Sequence, residues 1–134
     1  MTAVFADAFY YFALVNPGDR RHHTAREFTA NFTGQIVTTA WILTEVGDGL
    51  AKAVNRPLFL EMVSDLRMDP DVQIVPPDVD LFDEGLALYS RRSDKDWSLT
   101  DCISFFVMER QGITHALTGD RHFEQAGFVA LLMH

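Results

Sequence analysis

Short apolar runs alternate along this chain with longer segments in which apolar residues recur at the three- and four-residue spacing of a helix. The short runs predict strands at residues 4–6, 36–38, 72–75, 115–118 and 128–133. The longer segments predict helices at residues 8–15, 22–31, 40–54, 58–66, 78–90 and 99–110, with a single helical turn at 121–126. Because alternating strands and helices form a parallel sheet covered on both faces, we predict a three-layer α/β fold with four to five central strands.

Two of these helices carry patterns that constrain their packing. Thr39 is suited to cap the third helix, and Gly47 and Gly49 inside it predict that another group passes close to its backbone. The side of this helix predicted to be buried carries Ile42, Leu43, Val46, Leu50 and Val54. The fifth helix has one apolar face, formed by Val79, Phe82, Leu86 and Tyr89.

The helix that follows Ser98 is apolar nearly all round, which predicts that it is buried. Ser98 and Asp101 have the spacing of a capping box, with an acid in place of the usual Glu or Gln. A buried, unpaired carboxylate costs several kcal/mol, and a helix N-terminus compensates only part of that cost. Asp101 therefore either caps the helix or faces a cation, an arginine or a metal ion.

Length and charge narrow the class of protein. A chain of 134 residues, 48% of them apolar, suits one domain over residues 1–134 with a core that needs no disulfide. The lone Cys102 lies in the apolar helix and predicts a reducing compartment. The N-terminus lacks the basic region of a signal peptide, and no apolar run approaches membrane-spanning length, so we expect a cytoplasmic protein without a membrane partner. A net charge of −8 disfavours a simple nucleic-acid binder, although a nuclease that gathers acids around metal ions remains compatible with it.

Acidic residues follow two of the predicted strands. Asp7 ends the first strand and Asp120 follows the fourth, and ligands of open parallel sheets bind outside the carboxyl ends of the strands. Asp101 begins the helix that leads into the fourth strand, so we expect it near the same edge. Glu45 lies at the border of the apolar face of its helix, where an ordinary solvated glutamate is the alternative. Three or four converging oxygen ligands without clustered Cys or His select Mg²⁺ or Mn²⁺, which supports phosphodiester hydrolysis.

Several motifs occur in a familiar order. They are Phe5-Ala6-Asp7 followed by Asn16-Pro17-Gly18-Asp19 and His23, Thr38-Thr39 leading to Glu45, Trp97-Ser98-Leu99-Thr100-Asp101, Leu117-Thr118-Gly119-Asp120-Arg121-His122-Phe123, and Gly127-Phe128. In these motifs, which span the whole chain, the sequence resembles the PIN-domain family and especially the VapC-type toxin ribonucleases. One departure is Ala8, where many relatives carry Ser or Thr.

The resemblance implies a PIN-like fold and a metal-dependent endoribonuclease that leaves a 5′ phosphate. It implies that Asp7, Glu45, Asp101 and Asp120 are the catalytic acids that hold Mg²⁺ or Mn²⁺. Asp96 is then an outer-shell acid, and Thr118 assists at the edge of the sheet. The resemblance also implies RNA as substrate, a small antitoxin protein as partner, and a homodimer.

Basic residues and histidines are weaker candidates. The candidates for RNA contacts are Arg20, Arg21, Arg91, Arg92, Lys95 and Arg121, which also suit an ordinary solvated surface. His22, His23 and His122 have the chemistry for acid–base work near neutral pH, but we interpret each as structural or surface-exposed.

Two other classes of function remain open. A phospho-acceptor signalling domain is also α/β with acids at strand ends, but this chain has no paired acids after the first strand and no lysine after the last. A PIN-like module that only binds a partner has no need to hold four mutually repelling carboxylates.

Overall fold

Five parallel strands form the centre of the molecule. The computed structural model describes residues 2–133. The strands are β1 (Ala3–Ala6), β2 (Gln35–Thr39), β3 (Val72–Val75), β4 (His115–Leu117) and β5 (Val129–Ala130). They lie in the order β3-β2-β1-β4-β5. The predicted α/β fold with a central parallel sheet is confirmed.

Helices occupy the segments between the strands. They are α1 (Ala8–Val15), α2 (His22–Asn31), α3 (Ala40–Gly49), α4 (Arg56–Met68), α5 (Val79–Arg91), α6 (Leu99–Gln111) and α7 (Arg121–Gln125). Within residues 2–133, none of these helices combines the length and the apolar content that crossing a bilayer requires.

The strand order determines which helices cover which face of the sheet. The chain moves outwards from β1 to β2 and β3, and then crosses back past β1 to β4 and β5. Since crossovers between parallel strands are right-handed, α1 to α4 cover one face and α5 to α7 the other. The helix contacts agree, because α1 packs on α2 and α3, whereas α6 packs on α5 and α7. The direction of winding therefore reverses between β1 and β4, where α/β proteins bind their ligands.

Helix α6 is buried, as its sequence predicts. Cys102, Ile103, Phe105, Val107 and Met108 are all nearly inaccessible to solvent. The Phe105 ring packs edge-on against Trp97 and Phe123, with ring centroids 5.0 and 4.9 Å away. The cluster of Trp97, Phe105 and Phe123 packs α6 against α7 and thereby positions the N-termini of both helices.

The predicted cap and close contacts of α3 are confirmed, whereas its predicted end at Val54 is wrong. The Ile42 N–H donates to the Thr39 hydroxyl at 3.1 Å, which caps the helix. A Cβ atom at Gly47 would lie 2.9 Å from the Phe59 ring, and one at Gly49 2.5 Å from the Phe12 ring, so both glycines permit the predicted close approach.

The helix ends at Gly49 instead of continuing to Val54, which is 83% exposed. The chain leaves the helix at Leu50, and α4 begins at Arg56.

The apolar face of α5 is largely exposed. Leu81 and Gly85 are the buried residues of this helix, and the Gly85 backbone lies directly against the Ile103 side chain of α6. The adjoining face, here named the α5 stripe, consists of Val79, Phe82, Leu86 and Tyr89, which are 73%, 40%, 39% and 51% exposed. The stripe is therefore an apolar surface that this chain alone does not cover.

Candidate metal centre

Three of the predicted acids begin helices at the carboxyl edge of the sheet. Asp7 follows β1 and precedes α1, and Asp120 precedes α7 just after β4. Asp101 lies in the first turn of α6, and Glu45 lies in the middle of α3. The winding reverses between β1 and β4, and an aspartate thus lies after each of these two strands.

Thr118 connects the two aspartates that follow the strands. Its fully buried hydroxyl donates to the Asp7 Oδ2 atom at 2.8 Å and accepts from the Asp120 N–H at 3.0 Å. Thr118, which is predicted to assist at the edge of the sheet, thus contacts both aspartates.

Asp7 is buried, with 7% of its surface exposed. Burial raises the pKa of its carboxyl group to about 7; the Thr118 hydrogen bond opposes this rise, while the Asp101 and Glu45 carboxylates add to it. Asp7 is therefore an acid whose negative charge the surrounding protein disfavours.

Asp101 serves the helix cap and also faces the other acids. The Ser98 hydroxyl accepts from the Asp101 N–H at 2.9 Å, and the Asp101 Oδ2 atom accepts from the Ser98 N–H at 3.1 Å, which completes the predicted capping box. The same Oδ2 atom lies 3.0 Å from the His122 Nδ1 atom. Capping therefore does not account for every contact of this carboxylate.

Glu45 is the most exposed of the four acids. Its pKa is nevertheless raised, first by partial burial of the carboxyl group and then by the charges of Asp101, Asp120 and Asp48. Glu45 therefore faces the acidic cluster, although its helix is remote in sequence from the other three acids.

His122 lies beside the acids, although its sequence context favours a structural or surface role. Its Nδ1 atom lies 3.0 Å from Asp101 Oδ2 and 3.5 Å from Asp120 Oδ1, and its backbone N–H donates to Asp120 Oδ1 at 2.9 Å. These contacts place the His122 imidazole against two of the acids. The sequence signal for them was the place of His122 two residues after Asp120, in the first turn of α7.

Among residues 2–133, no arginine or lysine forms an ion pair with the acids of this cluster. Within residues 2–133, the one ion pair between a carboxylate and an arginine or lysine joins Arg92 to Asp94, outside the cluster. Ligand atoms of Asp101, Asp120 and His122 lie within 4.8 Å of one another, close enough for one metal ion. The all-oxygen set of four acids, with one imidazole beside it, suits a divalent cation.

Asp96 lies outside the cluster. It is exposed and lines a small polar pocket of about 380 Å³ with Arg92 and Lys95. In the described part of the chain, its side chain makes no hydrogen bond or ion pair with the other acids. A role for Asp96 in the outer shell stays a prediction.

The arginines proposed for RNA contacts are of three kinds. Arg20, Arg91 and Arg121 are exposed. Arg92 pairs with Asp94 at 3.0 Å and lies over the Trp97 ring.

Arg21 instead donates to the carbonyl oxygens of Leu132 and Met133, at 2.9 and 3.0 Å. Its guanidinium thus connects the segment at Leu132 and Met133 to the loop before α2, a structural role that the sequence did not predict.

The other two histidines are structural or exposed, as predicted. The His22 Nδ1 atom lies 2.7 Å from the Ala13 carbonyl oxygen, and the exposed His23 lies 3.3 Å from Glu27 on the same helix. These two interactions do not involve the four acids.

Comparisons with known proteins agree with this architecture. A family model described as PIN domain matches residues 4–129. The 23S rRNA-specific endonuclease VapC20 of Mycobacterium tuberculosis, from strain CDC 1551 / Oshkosh and from strain ATCC 25618 / H37Rv, is 29% identical over 126 residues, which cover 94% of this chain and 95% of the relative.

Solved structures extend the comparison. The crystal structure of M. tuberculosis VapC20, described as a sarcin-ricin loop cleaving toxin, matches with a TM-score of 0.85 and 28% identity over 94% of this chain and 96% of that one. FitAcB from Neisseria gonorrhoeae matches with a TM-score of 0.65 and 14% identity over 95% of this chain and 94% of that one, a likeness of fold alone. Since the family model covers all but the ends of the sequence, this chain belongs to the PIN-domain family.

Proposed function

We propose that this protein is a metal-dependent endoribonuclease that hydrolyses RNA phosphodiester bonds. The observation that carries the proposal is the convergence of Asp7, Glu45, Asp101 and Asp120 without a neutralising lysine or arginine among the described residues. Four acids that repel one another are stabilised by a divalent cation. The endonuclease activity named for the VapC20 relatives supports the same conclusion.

The four acids are the proposed metal ligands. Bound Mg²⁺ or Mn²⁺ would lower the pKa of a water molecule and stabilise the charge that develops on a phosphoryl oxygen. Thr118 holds the Asp7 carboxylate through Oδ2, and Ser98 holds the Asp101 carboxylate through Oδ2. The protein thus orients these two carboxylates before any ligand arrives, which lowers the cost of organising the site.

We further propose ribosomal RNA as the first substrate to test, because both VapC20 relatives are named for cleavage of 23S rRNA. The exposed Arg20, Arg91 and Arg121 are the candidates for contacts to RNA phosphates, whereas Arg21 is already engaged with backbone carbonyls. A reducing, cytoplasmic setting suits both a ribosomal substrate and the free, buried Cys102.

A small antitoxin is the proposed protein partner, since the VapC20 structure is described as that of a toxin. An open groove of about 1260 Å³ between α3 and α4 is lined mainly by apolar side chains, among them Leu43, Phe59 and Leu60. Arg56 and Arg67 also line it. This combination suits an amphipathic helix with acidic residues beside its apolar face.

Cleavage of purified rRNA by the purified chain tests the activity. We expect discrete cuts with Mg²⁺ or Mn²⁺, none with EDTA, and a loss of at least about 100-fold in rate for Asp101→Asn, because removing a metal ligand removes charge stabilisation in the transition state. The matched control is Glu109→Gln, which neutralises an exposed acid at the other end of α6 and should leave the rate unchanged. Equal rates for the wild type and Asp101→Asn, or cleavage that persists in EDTA, would contradict the proposal.

A further inference from the structure

His122 adds a nitrogen atom to a cluster that is otherwise composed of carboxylate oxygens. It lies in the first turn of α7, directly after the strand-end segment that carries Asp120, and its side chain is only 24% exposed. Its Nδ1 atom faces two acids from different elements, Asp101 of α6 and Asp120 before α7. The inference below rests on the proposed metal-dependent function.

The distances from Nδ1 to the two carboxylate oxygens are close to those between neighbouring ligands of one ion. In an octahedral site with bonds of about 2.1 Å, adjacent ligand atoms lie about 3 Å apart. His122 Nδ1 lies 3.0 Å from Asp101 Oδ2 and 3.5 Å from Asp120 Oδ1. Nδ1 is therefore near enough to both oxygens to share one ion with them.

Hydrogen bonding leaves both oxygens able to accept a cation. Asp101 Oδ2 accepts from the Ser98 N–H, and Asp120 Oδ1 accepts from the His122 N–H. A carboxylate oxygen has two lone pairs, so each keeps one for a metal ion. The two backbone donors also hold the oxygens in the orientation that brings them to Nδ1.

We propose that His122 is a ligand of the divalent ion through Nδ1, so that this chain has a mixed nitrogen–oxygen site. Mg²⁺ is a hard cation that binds oxygen ligands, whereas Mn²⁺, a transition-metal ion, accepts an imidazole nitrogen more readily than Mg²⁺ does. The nitrogen ligand therefore raises the preference of this protein for Mn²⁺ over Mg²⁺. The competing role is that of a positioning residue, in which Nδ1–H only donates a hydrogen bond to Asp101.

Asn at position 122 separates these two roles. An Asn amide N–H can replace the hydrogen bond that Nδ1–H donates, but the amide nitrogen does not bind metal ions, and the amide oxygen is a hard ligand. We expect calorimetry to find that His122→Asn binds Mn²⁺ at least about tenfold more weakly, while Mg²⁺ affinity changes by less than about threefold. His23→Gln is the matched control, since His23 is exposed and lies outside the cluster.

A spectroscopic measurement on the unaltered protein keeps the test independent of the variant's folding. Pulsed electron paramagnetic resonance of the Mn²⁺-loaded wild type should detect coupling to a directly bonded ¹⁴N nucleus, which is absent in His122→Asn and retained in His23→Gln. Tight Mn²⁺ binding without this coupling, or an unchanged ratio of Mn²⁺ to Mg²⁺ affinity in His122→Asn, would overturn the inference and leave the proposed nuclease intact. No binding of either ion would overturn both.

Discussion

Asp7 is buried at the end of β1, and burial is the main reason why the pKa of its carboxyl group rises to about 7. The usual value is 3.8, so above pH 7 this residue is charged in the folded and in the unfolded chain, but the charge is disfavoured only in the folded chain. Without a cation, the Asp7 carboxylate therefore lowers the free energy of unfolding.

Asp7→Asn should separate stability from activity. Because an uncharged amide removes the buried charge and can still accept the Thr118 hydrogen bond, we expect the metal-free variant to be more stable than the wild type by about 1–3 kcal/mol at pH 8. The same variant should lose RNA cleavage. Denaturant unfolding in EDTA measures the first effect, with the exposed Asp65→Asn as the control. A less stable Asp7→Asn would show that the carboxylate is compensated by groups other than a metal.

Single residues were predictable where a local pattern determines them. The Ser98 and Asp101 cap, the Thr39 cap and the close contacts at Gly47 and Gly49 each follow from spacing within one helix. The contact of His122 with Asp101 was not predictable, because it joins α7 to α6 through the packing of Phe105 and Phe123. The bonds from Arg21 to the carbonyls of Leu132 and Met133 likewise depend on the folded path of the chain.

At the scale of elements, the apolar residues of the α5 stripe are spaced so that the stripes of two copies of the chain can pack against each other. Two α5 helices packed antiparallel would oppose Val79 to Tyr89 and Phe82 to Leu86, as a two-fold axis requires. We therefore propose that the homodimer expected from the family resemblance forms through this helix.

A charge in the α5 stripe should dissociate that dimer. Phe82→Asp is expected to shift the protein from dimer to monomer in analytical ultracentrifugation, since it buries an unpaired carboxylate in the middle of the apolar contact. The control is Leu60→Asp, which adds the same charge at an exposed apolar position of α4 and should leave the dimer intact. A wild type that is monomeric at all concentrations, or a Phe82→Asp variant that stays dimeric, would contradict this interface.

The errors at this scale have physical reasons. Apolar spacing continues past Gly49 and predicts a helix to Val54, but the chain turns at Leu50 and leaves Val54 exposed. Similarly, β5 covers only Val129–Ala130 of the predicted residues 128–133. Apolar periodicity shows which side of a helix is apolar, but it does not show which other element packs on that side. The sequence alone therefore could not assign the α5 stripe to the core or to the surface.

Metal binding should stabilise the whole molecule, because the proposed ligands come from α3, α6 and the ends of β1 and β4. At a Mn²⁺ concentration 100 times the dissociation constant, binding adds about 2.7 kcal/mol, which corresponds to a rise in Tm of roughly 8 °C. Differential scanning calorimetry should find this rise in the wild type and in Glu109→Gln, and not in Asp101→Asn. An equal rise in Asp101→Asn would place the stabilising ion elsewhere.

The overall fold was more predictable than the site. Alternating strands and helices identify a parallel sheet, and the positions of Asp7 and Asp120 after strands identify its carboxyl edge. The order β3-β2-β1-β4-β5 did not follow from the pattern, because periodicity contains no information on which strands are neighbours. The approach of Glu45 to the other acids depends on that order and therefore needed the structure.

The central position of β1 also determines when the site can exist during synthesis. The Thr118 hydroxyl that holds Asp7 lies 111 residues later in the chain, and β4, which pairs with β1, is the fourth strand to leave the ribosome. Until then the first aspartate has neither its hydrogen-bond partner nor the acid that follows β4. A nascent chain that has not yet reached β4 thus lacks part of the proposed metal site, so the four acids can assemble only after β4 and Asp120 have been synthesised.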